Sequence, residues 1–213
     1  MGLFKKKDQR QESYYCSEND LAAYEKMVSD KFGEYKEVFH EIASPDLHID
    51  VIIIPPAPER DYYTLVTMGM GAYPMPVPSN YKKRNRAEVA VRLPKDWEIK
   101  SNEEKWHWPI RMLKVLARMP YNEKSWLGLY HDVDFGGPFS EDTELCGVLL
   151  DIFDRNVEPL TLENGDQLIV YNALPIYRSE MEYKNAENAQ ALVAKMSDAV
   201  LHGPVNIHRE KVV

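Results

Sequence analysis

Two short stretches of this chain carry side chains that could do chemistry. His131, Asp132 and Asp134 stand in a row before the loop Phe135-Gly136-Gly137. A histidine beside alternate carboxylates has the ligand types for a divalent metal, or for general acid/base work. His48 and Asp50 alternate in the same way, which puts them on one face of a strand as a candidate acid/base pair. Both readings have a plainer rival. No second ligand cluster accompanies His131, so a polar turn at a strand end explains the same letters. A hydrogen-bonded pair on a polar edge explains His48 and Asp50. The chain holds no GxSxG, HExxH, GxxxxGK[ST] or GxGxxG pattern, and Gly69-Met70-Gly71 is only a fragment of a nucleotide loop. The residues therefore favour a protein without catalysis, cofactor or metal, and leave a metal-dependent enzyme on His131, Asp132 and Asp134 as the alternative.

A different kind of chemistry is offered by Tyr73-Pro74-Met75-Pro76-Val77-Pro78. Prolines reduce the entropy lost on ordering, so this loop should be stiff. Tyr73, Met75 and Val77 on a stiff loop would make a recognition surface for another protein. The rival is a loop folded back with its side chains buried, and the sequence holds the two readings level. A second candidate contact surface is the loop from His131 to Phe139, with Asp132 and Asp134 between them. Trp106 and Trp108 at the start of a helix fit core staples better than interface anchors.

These positions need elements to hold them. Ser17 and Asp20 have capping-box spacing, and Leu21, Tyr24, Val28 and Phe32 then make one apolar helical face before Gly33. Residues 34–42 alternate as a strand, and Ser44-Pro45-Asp46 reads as a turn. Leu47 to Ile54 is a strand apolar on both faces in its second half, which predicts a central position. Tyr62 to Met70 and Arg86 to Leu93 are further strands. Pro109 fits the first turn of a helix with the stripe Ile110, Leu113, Leu116 and Ala117, and Pro120 should stop it. Trp126 to His131, Leu145 to Ile152 and Leu168 to Ile176 read as strands. The most regular element is a final helix carrying Ala186, Ala189, Val193, Met196 and Val200, ended by Gly203-Pro204. Strands run together between helices, so the pattern predicts an α+β fold. It would be one domain over residues 17–203, with a largely antiparallel, mixed sheet of six to seven strands and three main helices on one face or at the ends. Residues 1–16 read as a flexible lead-in and 204–213 as a tail.

Composition narrows the function. The chain has 213 residues, 44% hydrophobic and 11% aromatic, enough for one domain with a core. A net charge of −8 and a pI near 5.3 lack the basic face that nucleic acid or an anionic membrane would need. Cys16 and Cys146 form no disulfide framework or zinc spacing, which points to a reducing compartment, the cytoplasm. No apolar run reaches the length of a membrane span, and the basic start MGLFKKKDQRQE lacks the apolar stretch of a secretory signal. A homodimer pairing through a sheet edge is a further possibility that composition leaves open.

The blocks HIDVIIIPP, YYTLVTMGMGAYPM, AEVAVRLP, WPIRMLKVLARMP, SWLGLYHDV and GVLLDIFDRNVEPLTLENGDQLIVYNALPIYRSEM resemble, in order, the Suppressor of fused domain family, from about Asp20 to Val200. The resemblance implies a protein-binding function. In the animal protein a second domain follows, and the two clamp a peptide of Gli-type transcription factors that adds as a β-strand. This chain has no room for that domain, so Gli-type binding does not carry over. Tyr73 stands where the animal family also has a tyrosine in the loop lining its peptide cleft, whereas Pro74 and Met75 depart from that pattern. Single-domain bacterial members of the family are proposed as immunity proteins of polymorphic toxin systems. The resemblance thus implies a toxin domain as partner. A basic nuclease would suit the acidic charge.

Overall fold

The computed structural model describes residues 17–42 and 47–213. The lead-in 1–16 with Cys16, and the turn Ser44-Pro45-Asp46, lie outside the described residues.

The first helix forms as its sequence dictates. In α1, Glu18–Phe32, the Ser17 hydroxyl accepts from the Asp20 N–H at 3.1 Å, satisfying one of the orphan donors of the first turn. Tyr24, Val28 and Phe32 are buried as the spacing predicts. Their fourth buried companion is Asp20 rather than Leu21, because the Asp20 carboxylate accepts from the Glu163 N–H at 2.8 Å. Gly33 closes the helix at φ +118°, donating to the Val28 and Ser29 carbonyls. That backbone conformation favours glycine.

Among the described residues eight strands make one sheet: β1 Glu37–Phe39, β2 Asp50–Ile54, β3 Tyr62–Met68, β4 Arg86–Pro94, β5 Asp132–Asp134, β6 Gly147–Ile152, β7 Leu160–Thr161 and β8 Gln167–Ile176. Their order is β1-β2-β3-β4-β8-β6-β5, with β7 also on β8. Every pairing is antiparallel except β4 with β8. The fold is α+β with a mixed, largely antiparallel sheet. The middle belongs to β4 and β8, not β2, whose apolar residues are covered from both faces although only β1 lies outside it. Both edge strands on the main path are three residues long, a short template for a second copy.

Helices cover both faces, not one. α2, Glu104–Glu123, lies on the face of Val51, Leu65, Val89 and Val91. α1 lies on the other, over Ile52, Ile54, Val66 and Ala90. α3, Arg178–Ala186, and α4, Ala189–Val193, share that second face over Leu149, Leu174 and Ile176.

Several local expectations are corrected. Pro109 is not at the start of α2, which begins five residues earlier, and Pro120 is inside the helix, not beyond it. Each interior proline costs about 3 kcal/mol. Both are buried with Trp108, Ile110, Leu113 and Leu116, and that burial offsets the cost. Trp126 to His131 is not a strand. Tyr130 has φ +66°, which no ladder continues, so β5 begins at Asp132. The expected final helix is broken into α3, α4 and α5, Asp198–His202. Asn188 and Ser197 cause the breaks: their side chains accept from the Ala191 and Val200 N–H groups and start new helices. Among the described residues no helix is long and apolar enough to cross a membrane.

Candidate protein-interaction surface

The Tyr73–Val77 loop is fixed from β4. Glu88, fully buried, accepts from the Gly69 and Gly71 N–H groups at 2.9 Å each, and from the Thr67 hydroxyl at 2.5 Å. Two positions away, Arg86 donates from Nη1 to the Gly71 and Ala72 carbonyls at 3.1 and 2.8 Å, and from Nε to Asp166 at 2.9 Å. One carboxylate and one guanidinium thus saturate the backbone of the turn before Tyr73. Gly69 is required there: its φ is +125°, and a Cβ would lie 2.0 Å from the His48 carbonyl oxygen.

Beyond the turn the loop folds back on the molecule. Met75 is 4% exposed, so it belongs to the core rather than to a contact surface. Its Sδ accepts from the Leu127 N–H at 3.4 Å, and its own N–H donates to the Asn85 carbonyl. Tyr73 and Val77 are half-buried against the core, while Pro74, Pro76 and Pro78 are exposed. Phe139 is also corrected to the core: it is 4% exposed and stacks on Trp108 with centroids 4.7 Å apart. Trp97, Trp106 and Trp108 pack edge to face, confirming the staple reading of the helix start.

The Met75–Leu127 link brings the two candidate loops together. Tyr73 meets Tyr121 at 5.4 Å, Tyr81 stacks on Trp126 at 5.9 Å, and Trp126 meets His131 edge-on at 4.3 Å. Tyr81 and Tyr121 are 44% and 42% exposed, and Leu129 is exposed nearby. The result is two groups of amphipathic rings, Tyr73 with Tyr121 of α2, and Tyr81 with Trp126 and His131 just beyond that helix. Beside the second lies a depression of about 430 Å³ lined by Trp126, His131, Asp132 and Lys184. Tyr81, Tyr121 and Trp126 were not singled out from sequence as contact residues. Tyr121 had a signal, since it falls outside the apolar stripe of α2.

The polar residues of the second loop are engaged. Asp132 pairs with Lys184, and Asp134 takes both arms of the Arg178 guanidinium, tying α3 to edge strand β5. The Arg178 hydrogen bond, with the Gly136 N–H, holds the Asp134 carboxyl below its usual range. Burial pushes the His131 imidazole below 6.5. The structure does bring His48 and Asp50 together: His48 Nε2 lies 3.0 Å from Asp50 Oδ1, and His40 Nδ1 lies 2.7 Å from Oδ2. Asp50 is fully buried, and Glu41 beside it pairs with Arg118 of α2, so the cluster ties the sheet edge to the helix. Among the described residues no group of three His, Cys, Asp or Glu side chains could hold a metal ion. Cys146 is a free, buried thiol whose pKa burial raises.

Comparison with known proteins agrees with this architecture. The uncharacterised protein UU111 of Ureaplasma parvum serovar 3 is 24% identical over 192 residues, covering 84% of this chain and 90% of that protein. A crystallised SUFU homologue from Neisseria gonorrhoeae FA 1090 has a TM-score of 0.67 at 16% identity, over 92% of this chain and 98% of that one. A chain of the Sufu–Fu complex gives 0.66 at 14% identity, over 91% and 92%. Drosophila Suppressor of Fused gives 0.57 at 15%, over 78% of this chain but only 43% of its own. Residues 45–210 match the family model of the Suppressor of fused protein. The chain therefore belongs to the Suppressor of fused (SUFU) family.

Proposed function

We propose that this chain is a binding protein of the cytoplasm that acts without catalysis, and that its partner is a toxin domain which it neutralises as an immunity protein. The observation that carries the reading is the two pairs of half-exposed rings, Tyr73 with Tyr121 and Tyr81 with Trp126. Tyrosine and tryptophan give large contact area at low entropy cost and dominate binding energy where they centre an interface. Tyr73 is held in place because Glu88 and Arg86 hydrogen-bond the turn below it. The structural likeness to a chain solved as the Sufu–Fu complex supports a partner of protein chemistry. The net charge of −8 favours a basic partner, such as a nuclease, through faster encounter. Engagement of Asp132 and Asp134 by Lys184 and Arg178 argues against the alternative of a metal-dependent enzyme on these residues.

The test is co-expression with the product of the gene immediately upstream, followed by size-exclusion chromatography. A stable complex that relieves toxicity is the expected outcome, and neither complex nor toxicity would sink the immunity reading. The double variant Tyr81→Ala/Tyr121→Ala should keep its fold and weaken binding by ~10-fold or more. Undiminished affinity would move the contact surface elsewhere.

A further inference from the structure

The net charge of −8 conceals a local basic patch. Tyr81 leads into Lys82-Lys83-Arg84, and all four residues are exposed. Elsewhere the carboxylates of this acidic chain take up cations readily: Lys95 pairs with Asp61, Lys100 with Glu37, Arg178 with Asp134 and Lys211 with Glu144. Among the described residues no carboxylate forms an ion pair with Lys82, Lys83 or Arg84.

The backbone beneath them is fixed. The 3₁₀ turn Ser79–Tyr81 is followed by a bond from the Arg84 N–H to the Tyr81 carbonyl at 2.7 Å. The Gln167 N–H of β8 donates to the Lys83 carbonyl at 2.5 Å. The cations are therefore held beside the Tyr81 ring, which stacks on Trp126. The indole in turn packs on its own chain: a Cβ on Gly128 would lie 2.6 Å from the Trp126 ring.

The carboxylates around this face leave part of its charge free. Asp166 is taken by Arg86 at 2.9 Å. Arg84 lines a cleft of about 210 Å³ together with Asp154, Arg155 and Glu158. Arg155 pairs there with Asp151 at 3.3 Å, and Asp154 accepts from the Asn156 N–H at 2.8 Å. Glu123 and Lys124, both exposed just before Trp126, offset each other. What remains is the charge of Lys82 and Lys83, with Arg84 shared between this face and the cleft.

We propose that Lys82, Lys83 and Arg84, with the Tyr81–Trp126 pair, dock an acidic segment of a protein partner, its carboxylates set beside an apolar or aromatic side chain. The inference rests on the reading that this ring pair contacts a partner, and it holds whether or not that partner is a toxin. Exposed ion pairs add little affinity, so the rings supply the grip and the cations select the charge. Net charge steers approach from afar, but at contact, within a screening length of about 8 Å, the local charges decide. Nucleic acid fits less well. Three cations neutralise few phosphates beside the roughly six to ten contacts of a duplex binder, and the rest of the chain is acidic.

The experiment uses the full chain, isotope-labelled, with the Trp126 indole N–H and the Lys82–Arg84 amides followed by NMR. The probe is the peptide acetyl-Glu-Asp-Phe-Glu-Asp-amide, with its Gln/Asn counterpart and poly(dT) as controls. A saturable shift with the acidic peptide is expected, weakening as salt rises, with the neutral peptide ~5-fold or more weaker. Lys82→Glu/Lys83→Glu, at two exposed positions, should keep the fold and weaken binding by ~10-fold or more. No saturable shift, equal binding of the neutral peptide, or binding that survives the charge reversal would overturn the proposal. Tighter binding of poly(dT) than of the peptide would overturn it in favour of nucleic acid. A co-expressed complex weakened by Tyr81→Ala/Tyr121→Ala but not by Lys82→Glu/Lys83→Glu would keep the ring surface and remove the acidic segment.

Discussion

Arg86 and Arg92 stand on the same strand, on the same face, six positions apart, and are buried to nearly the same degree. Their surroundings differ in kind. Arg86 meets a carboxylate and two carbonyls, and its work is to fix the turn that leads into Tyr73. Arg92 has one carbonyl and two ring faces. Equal burial therefore says little about role. What separates the two arginines is whether the fold completes their hydrogen bonds.

The sharpest way to break this contrast is Arg86→Leu. It removes the cation paired with Asp166 and the donor shared by the Gly71 and Ala72 carbonyls, and should cost about 3–5 kcal/mol in urea denaturation. A loss under about 1 kcal/mol would show that the clamp is not structural. Met75→Ala comes next. It removes a core side chain from the loop that Arg86 fixes and should cost about 2–4 kcal/mol. A near-neutral result would return Met75 to the surface role that its sequence position suggested. Arg92→Met is expected to stay within about 1 kcal/mol of the parent, or to exceed it, since an apolar chain of similar length replaces an uncompensated cation. A cost equal to that of Arg86→Leu would erase the distinction between the two arginines.

His131 gives the smallest effect and extends the comparison to an imidazole whose charged form burial disfavours. Its folded pKa lies below its ordinary 6.5, mainly through desolvation. The unfolded chain thus takes up the proton first, and His131 makes stability fall as pH drops through 6.5. Well above 6.5 it has no effect. His131→Gln should flatten the stability–pH curve between about pH 5 and 7, and an unchanged slope would place the imidazole in water.

Local pattern was enough for much of the fold. α1 follows from Ser17 and the Tyr24, Val28, Phe32 spacing, and β3, β4 and β8 follow from alternation between breakers. The ordered blocks from His48 to Met181 carried the family resemblance. Capping and periodicity act over a few residues, so they survive in the sequence alone. The apolar spacing from Ala186 to Val200 does not make one helix because Asn188 and Ser197 cap new ones within it. Only the tertiary structure decided that Met75 and Phe139 turn inward, that Tyr81 meets Trp126 and Tyr121 meets Tyr73, and that Arg86 is completed while Arg92 is not. Each outcome depends on distant chain, such as Asp166, 80 residues from Arg86, or Leu127 against Met75. Side-chain environment is set by which strands become neighbours, above all the parallel pairing of β4 with β8, and no local spacing encodes that choice.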